Sequence, residues 1–245
     1  MMKINITFLA LVIYTPALLW GQGQFDEVRL FQSFMRDATI TTTAYDEAFI
    51  DYNHYPAGNL YALGIQGGFA VSTDLEINGR FGLGGYTPEG SDGEIGLADL
   101  ILSARHLVHN QENVQVTLGG GVSLPVGEEK AGYSHFSLGG FGALRYLAGE
   151  QLLITGALGL DITEGYALSY KSTFSISVTS GFIYQYNSRL NFIGELIYRS
   201  NMDYGVLSVG VDYLLSTNRI RGAIGVGIDD QAPDVQLQIG YIFSF

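Results

Sequence analysis

The chain has 245 residues, 47% hydrophobic and only 15% charged, with 33 Gly, 16 Tyr and no Cys. Its formal charge is −12, from 24 acidic and 12 basic residues. A disordered chain would carry fewer apolar and aromatic side chains, a disulfide-built domain or a thiolate metal site needs cysteines, and a nucleic-acid partner calls for a basic face that this balance does not supply. Low charge beside excess Gly and Tyr suits a chain whose surface faces, in large part, something other than water.

Residues 1–21 read as a signal peptide: Lys3 gives the positive start, residues 8–19 the apolar stretch, and Gly21 a small residue before cleavage near Gln22. Leu19 departs from the small-x-small rule at such a site. A retained anchor is the alternative, but the apolar run is short of the roughly 20 residues a spanning helix needs. Residues 22–38 follow as an N-terminal segment, expected in the periplasm or as a plug.

From residue 39 to residue 245 the dominant pattern is period two. The weakest stretch is the first, residues 39–52, whose apolar face is poor. A Gly-rich strand follows at 59–71, and then 75–83, with Leu75, Ile77, Phe81 and Leu83 alternating with Glu76, Asn78 and Arg80. Residues 94–108 read as one strand with Asp99, Ser103 and Arg105 on its polar side. Residues 114–124, 135–148, 152–162, 174–186, 189–199, 204–215 and 218–229 repeat the pattern. Residues 235–245 close it, with Val235, Leu237, Ile239, Tyr241, Phe243 and Phe245 on one face.

These twelve strands are about twice as long as the five or six residues usual in soluble sheets, and match the ~9–11 of a tilted membrane-spanning strand. Their connections alternate. Short ones fall at 72–74, 109–113, 149–150, 187–188 and 216–217, and longer ones at 86–93, 125–134, 163–172, 200–203 and 230–234. Tight turns at one end and longer loops at the other are the layout of an outer-membrane barrel, the tight turns being periplasmic. The expected fold is therefore all-β, an antiparallel transmembrane barrel of about twelve strands.

In lipid the apolar face of each strand points outward, and closure leaves no unpaired edge. Tyr and Phe near the strand ends suit the two interfaces. The opposite face supplies candidates for the lumen lining: Glu76, Arg80, Asp99, Arg105, Arg145, Asp161, Arg189, Glu195, Arg199, Asp212, Arg219 and Arg221. Such mixed charge reads either as a structural ion-pair network filling a narrow lumen or as a polar solute path. Phe245, an aromatic ending an alternating strand, is a candidate insertion signal. His135 and Ser137 share a strand face, the layout a lipid hydrolase would use, with no acid adjacent in sequence. The histidines show no metal-ligand spacing and the Gly runs precede no helix, so no metal or cofactor is expected.

Gly96-Leu97-Ala98-Asp99-Leu100, with Arg105, and then Val116 through Gly121 to Leu124-Pro125-Val126-Gly127, resembles the core motif of the outer-membrane transporter family named for the meta-pathway of phenol degradation, the MetA-pathway family. Ala98 and Val126 stand where that pattern often has Gly and Thr. The resemblance spans residues 58–245 and implies an outer-membrane barrel passing small, often hydrophobic, compounds, with no catalytic residues.

The sequence thus points to a non-enzymatic channel or transporter in the bacterial outer membrane, working by passive diffusion of small molecules. Its expected partners are the membrane lipids, the barrel-assembly machinery and an unidentified solute, with no nucleic acid. The alternatives are an adhesion barrel with partner-binding loops and a lipid-modifying hydrolase.

Overall fold

The computed structural model describes residues 27–41, 43–90, 92–111, 113–131, 134–164, 173–200 and 203–245. Residues 1–21, expected from the sequence to be a signal peptide, lie outside them, as do residues 22–26 of the N-terminal segment. The strands are β1 (Tyr45–Tyr55), β2 (Gly58–Ala70), β3 (Leu75–Pro88), β4 (Glu94–Leu97), β5 (Leu100–Gln111), β6 (Val114–Leu124), β7 (Ser137–Gly149), β8 (Leu152–Thr163), β9 (Thr173–Gln185), β10 (Leu190–Arg199), β11 (Tyr204–Leu215), β12 (Asn218–Gly227) and β13 (Val235–Ser244). β4 and β5 are two halves of one wall strand, so the wall has twelve strands.

Each strand pairs antiparallel with its sequence neighbours. The sheet closes where β1 meets β13, from Tyr45 opposite Ser244 to His54 opposite Val235. Closure gives the first and last strands the backbone partners that lipid cannot supply. It also places residues 27–41 and the C-terminus at one end, where the turns Ser216-Thr217 and Gly149-Glu150-Gln151 also lie. By the short-turn rule this end faces the periplasm.

The outward face is a continuous apolar belt. Ile50, Leu63, Ile65, Leu158, Leu160, Val209, Ile224 and Ile239 are each more than half exposed or close to it. The inward face carries Thr117, Thr155, Ser175, Ser177, Thr179, Asn191 and Ser208, all buried. A soluble barrel would reverse this arrangement, so the wall is built for lipid outside and polar groups within.

Two boundaries differ from the sequence reading. The first strand starts at Tyr45, six residues later than expected, because residues 38–41 lie inside the barrel, where Ala38 and Thr39 are fully buried. The stretch 94–108 is not one uninterrupted strand. Arg80 faces Ile101 while Leu83 faces Leu97, so two residues of β3 oppose three of its neighbour. The extra residue forms a bulge at Ala98-Asp99, which bends the strand and re-aims its side chains.

An Arg at the centre of the lipid-facing belt tests the assignment of faces. Leu158→Arg is expected to lower the unfolding free energy by about 2–4 kcal/mol, and Tyr186→Arg, beside a turn, by about 0–1 kcal/mol. Denaturant unfolding in lipid vesicles measures both, and equal costs would reverse the assignment.

Candidate functional site: a plugged lumen with an outer vestibule

Residues 27–41 run inside the barrel and fill its periplasmic half. Apolar side chains draw them in. Val28, Leu30 and Phe31 pack on Leu153, Ile183, Ile193 and Ala223 of the inner wall. These wall residues form one band: Leu153 faces Ile183, Ile183 faces Ile193, and Ala223 faces Gly210 across the next pair. Gly210 makes the seat for Phe31, since a Cβ there would lie 2.5 Å from the ring's Cε2. Phe34 packs on Tyr45 and Ile242, and Ala38 on Phe141 and Ala143.

Charge then fixes the segment in place. Glu76 receives two guanidinium groups, Arg29 of the plug at 3.1 Å and Arg105 of the wall. It also accepts hydrogen bonds from Tyr45 Oη at 2.7 Å, Asn78 Nδ2 at 2.7 Å and the Thr41 amide at 2.8 Å. Asp37 pairs with Arg145, whose Nη2 also donates to the Val28 carbonyl at 2.5 Å. Glu195 accepts from the Phe31 amide at 3.0 Å, the Gln32 amide at 2.8 Å and Ser33 Oγ at 2.6 Å. Arg221 donates to the Arg29 carbonyl at 2.7 Å and stacks 4.0 Å above the Phe31 ring. Arg219 pairs with Asp212 and lies 3.5 Å from Glu27. Burying a charge in this way is tolerable only when it is paired and hydrogen-bonded.

Above the plug the lumen opens into a vestibule of about 480 Å³. Its floor is residues 31–36, and its walls come from β1–β3 and β5–β10. One part is apolar, from Phe34, Met35, Phe49, Leu60, Ile101 and Phe141. The polar part holds two ion pairs, Arg36–Asp161 and Arg80–Asp51 at 2.8 Å, whose arginines are about a third exposed. Arg80 also lies 4.0 Å over the Phe49 ring.

At the vestibule's outer edge, the bulge turns Asp99 toward the segment that follows β6. Its carboxylate accepts hydrogen bonds from the amides of Gly127 at 2.9 Å, Ser134 at 3.0 Å and His135 at 3.0 Å. Ser134 adopts φ = 80°, a left-handed conformation. For a non-glycine residue this costs about 1–3 kcal/mol, and the bond from its amide to Asp99 offsets that cost.

The candidate lumen residues therefore fall into groups. Glu76, Arg105, Arg145, Glu195, Asp212, Arg219 and Arg221 are buried against or around the plug. Arg80, Asp99, Asp161 and Arg199 line the vestibule. Arg189 is brought to neither: it sits exposed in the periplasmic turn before β10. Asn187 Oδ1 accepts the amides of Arg189 and Leu190 there, and with this local turn β10 begins one residue later than expected. His135 and Ser137 both line the vestibule, yet Asp99 spends its carboxylate on backbone amides. Phe245 is exposed, and its amide donates to the Ala44 carbonyl at 3.0 Å.

Sequence reasoning missed the plug's own partners, Arg29, Arg36, Asp37, Ser33 and Thr41, and the wall acids Glu47 and Asp51. A signal for the plug was present. Leu153, Ile183, Ile193 and Ile242 are apolar residues on the otherwise polar face, and they require an apolar partner inside.

No protein-family profile and no curated protein matches the chain. Solved structures do. The COG4313 outer-membrane channel from Pseudomonas putida F1 superposes with TM-score 0.66 over 83% of this chain and 95% of that one, at 11% identity. The KdgM porin, in complex with oligogalacturonate, gives 0.56 over 80% and 99%, at 12% identity. The NanC porin gives 0.56 over 81% and 100%, at 10% identity. At these identities the likeness is one of fold.

Removing the shared carboxylate tests the plug's attachment. Glu76→Ala leaves Arg29 and Arg105 buried without their anion and is expected to cost about 3–5 kcal/mol. Gly210→Val, whose Cβ would meet the Phe31 ring at 2.5 Å and the Gly222 carbonyl oxygen at 2.6 Å, is expected to unseat Phe31 and to strain the β11–β12 ladder beside it. In both variants trypsin should cut at Arg29 or Arg36 under conditions where the wild type is resistant. Unchanged resistance would show that the segment is held by something else.

Proposed function

We propose that the chain is a non-enzymatic outer-membrane channel for small molecules, which pass by passive diffusion when the plug shifts. The observation that carries this reading is the division of one polar lumen by residues 27–41. Outside lies a vestibule of about 480 Å³, large enough for a small organic solute; inside lies a dry, ion-paired seal. A barrel serving only as a structural wall has no need of an open chamber above a separable seal. Structurally similar barrels are a channel and porins, which supports extending that role here.

The mixed lining sets the solute class. Phe34, Phe49 and Leu60 offer an apolar surface, and Arg80 and Arg36 offer guanidinium edges already engaged by Asp51 and Asp161. A small molecule with an apolar body and one or two polar groups fits such a lining. This accords with membership of the MetA-pathway family. In the same reading residues 1–21 are the export signal, and Phe245 is the terminal aromatic recognised by the barrel-assembly machinery.

Single-channel recording in planar bilayers tests the proposal. The wild type is expected to show small, intermittent currents, because the seal closes the lumen. Gly210→Val and Glu195→Ala, which loosen the plug at Phe31 and at the Phe31–Ser33 backbone, are expected to raise the conductance and its open time. Folded, heat-modifiable protein that conducts nothing in any of the three forms would end the channel reading.

A further inference from the structure

At the outer end of the wall β4 lacks a strand partner on one side, as does the end of β9 beyond Ser177, where pairing with β10 stops at Arg199. β4 pairs with β3 from Leu83–Leu97 to Tyr86–Glu94. On its other side β6 ends at Leu124, opposite Leu100, below the bulge. The edge of β4 is instead closed by residues 125–131. The Glu128 amide donates to the Leu97 carbonyl at 2.9 Å, and the Ala98 amide reaches across to the Gly82 carbonyl at 2.9 Å. The same stretch carries the 3-10 turn Glu129–Ala131, which packs on β4 and β3. Among the described residues this part of the wall is held by the Glu128–Leu97 bond and by the Asp99 carboxylate in place of a strand ladder.

Apolar groups stand on both sides of the seam. Outside, Leu83, Leu97 and Leu102 are exposed in the lipid-facing belt. Inside, Leu60, Ala98 and Ile101 line the vestibule, together with Asp99 itself. A solute dissolved in the outer leaflet therefore meets an apolar surface before the seam and another after it. Among the described residues, the polar groups to be crossed are those of the covering segment and the Asp99 carboxylate.

We propose that this seam is a side entrance to the vestibule for small apolar or weakly amphipathic solutes held in the outer leaflet, with residues 125–131 as its cover and Asp99 as its latch. The proposal rests on the channel reading and adds the direction from which such solutes arrive. Hydrophilic solutes keep the outer mouth of the lumen.

A reversible crosslink tests it. A Cβ at Gly96 would stand 2.8 Å from Glu128 Cβ, and a disulfide needs about 3.5–4.5 Å. A small outward shift of the cover thus lets Gly96→Cys and Glu128→Cys pair. The chain has no other thiol. Cells producing the double variant are given the apolar dye N-phenyl-1-naphthylamine and, separately, a small hydrophilic solute. With the disulfide formed, dye uptake is expected to fall to that of cells lacking the protein, and to return on reduction, while hydrophilic uptake stays unchanged. Equal dye uptake in the oxidised and reduced states overturns the side entrance and leaves the channel intact. Uptake of neither solute by the reduced protein overturns the channel reading and the entrance with it. Asp99→Asn, which replaces an acceptor by an amide facing three backbone N–H groups, gives a second measure. It is expected to speed dye uptake, and unchanged dye uptake counts against the latch.

Discussion

The structure depends on one constraint: charged side chains that face inward from a narrow wall must find partners there. Glu76, Arg105, Arg145, Glu195, Arg219 and Arg221 are all nearly inaccessible to water. Wall against wall they do not balance. Arg145 has its acid in Asp37, and Glu195 has its donors in the Phe31, Gln32 and Ser33 backbone and hydroxyl groups, all contributed by the N-terminal segment. Removing that segment would leave Arg145 without its acid and Glu195 without these donors. The wall and the plug are therefore one electrostatic unit, although only the wall is needed for a closed barrel.

The same constraint grades the lumen from end to end. Ion pairs on the periplasmic side are almost wholly dry, whereas Arg36–Asp161 and Arg80–Asp51 keep part of each arginine in solvent. A pair in contact with water is easily exchanged for a solute's polar group, because its net worth is small. A dry pair holds firmly, because opening it exposes two unpaired charges. In the proposed channel, selectivity thus belongs to the outer chamber and resistance to the inner seal. The two tasks are kept apart by the four or five residues around Phe34.

Much of this was legible in sequence because a membrane wall has a rigid grammar. Strand length, alternation and the parity of short and long connections each follow from bilayer thickness and backbone pairing, and each is local. The chemistry on the inner face was legible as a list of residues and not as a set of partners. Glu76 and Arg29 are 47 positions apart, and Ser33 and Glu195 are 162 apart; no periodicity links them. The start of the first strand was misplaced for a related reason. Tyr45 and Phe49 face inward onto the plug and onto Arg80, so apolar residues lie on both faces of β1 and the alternation blurs. Arg189 kept the right parity for the lumen but fell one residue short of it, where a side-chain turn at Asn187 outweighs the sheet.

The Gly96–Leu100 motif shows what a local sequence signature means in such a wall. Its aspartate looked like one more lumen charge, yet its carboxylate is committed to three backbone amides and binds down a connection between strands. Gly96 is needed where Glu128 crowds the inner face, and Ala98 donates its amide across the bulge. Every residue of the motif with an evident task serves backbone geometry at one point of the rim. A barrel gains nothing from irregularity in its own right, since each bulge forfeits ladder hydrogen bonds. The bulge therefore marks the place where the regular wall was given up for something else. What stands there is the boundary between lipid, vestibule and the loop that separates them.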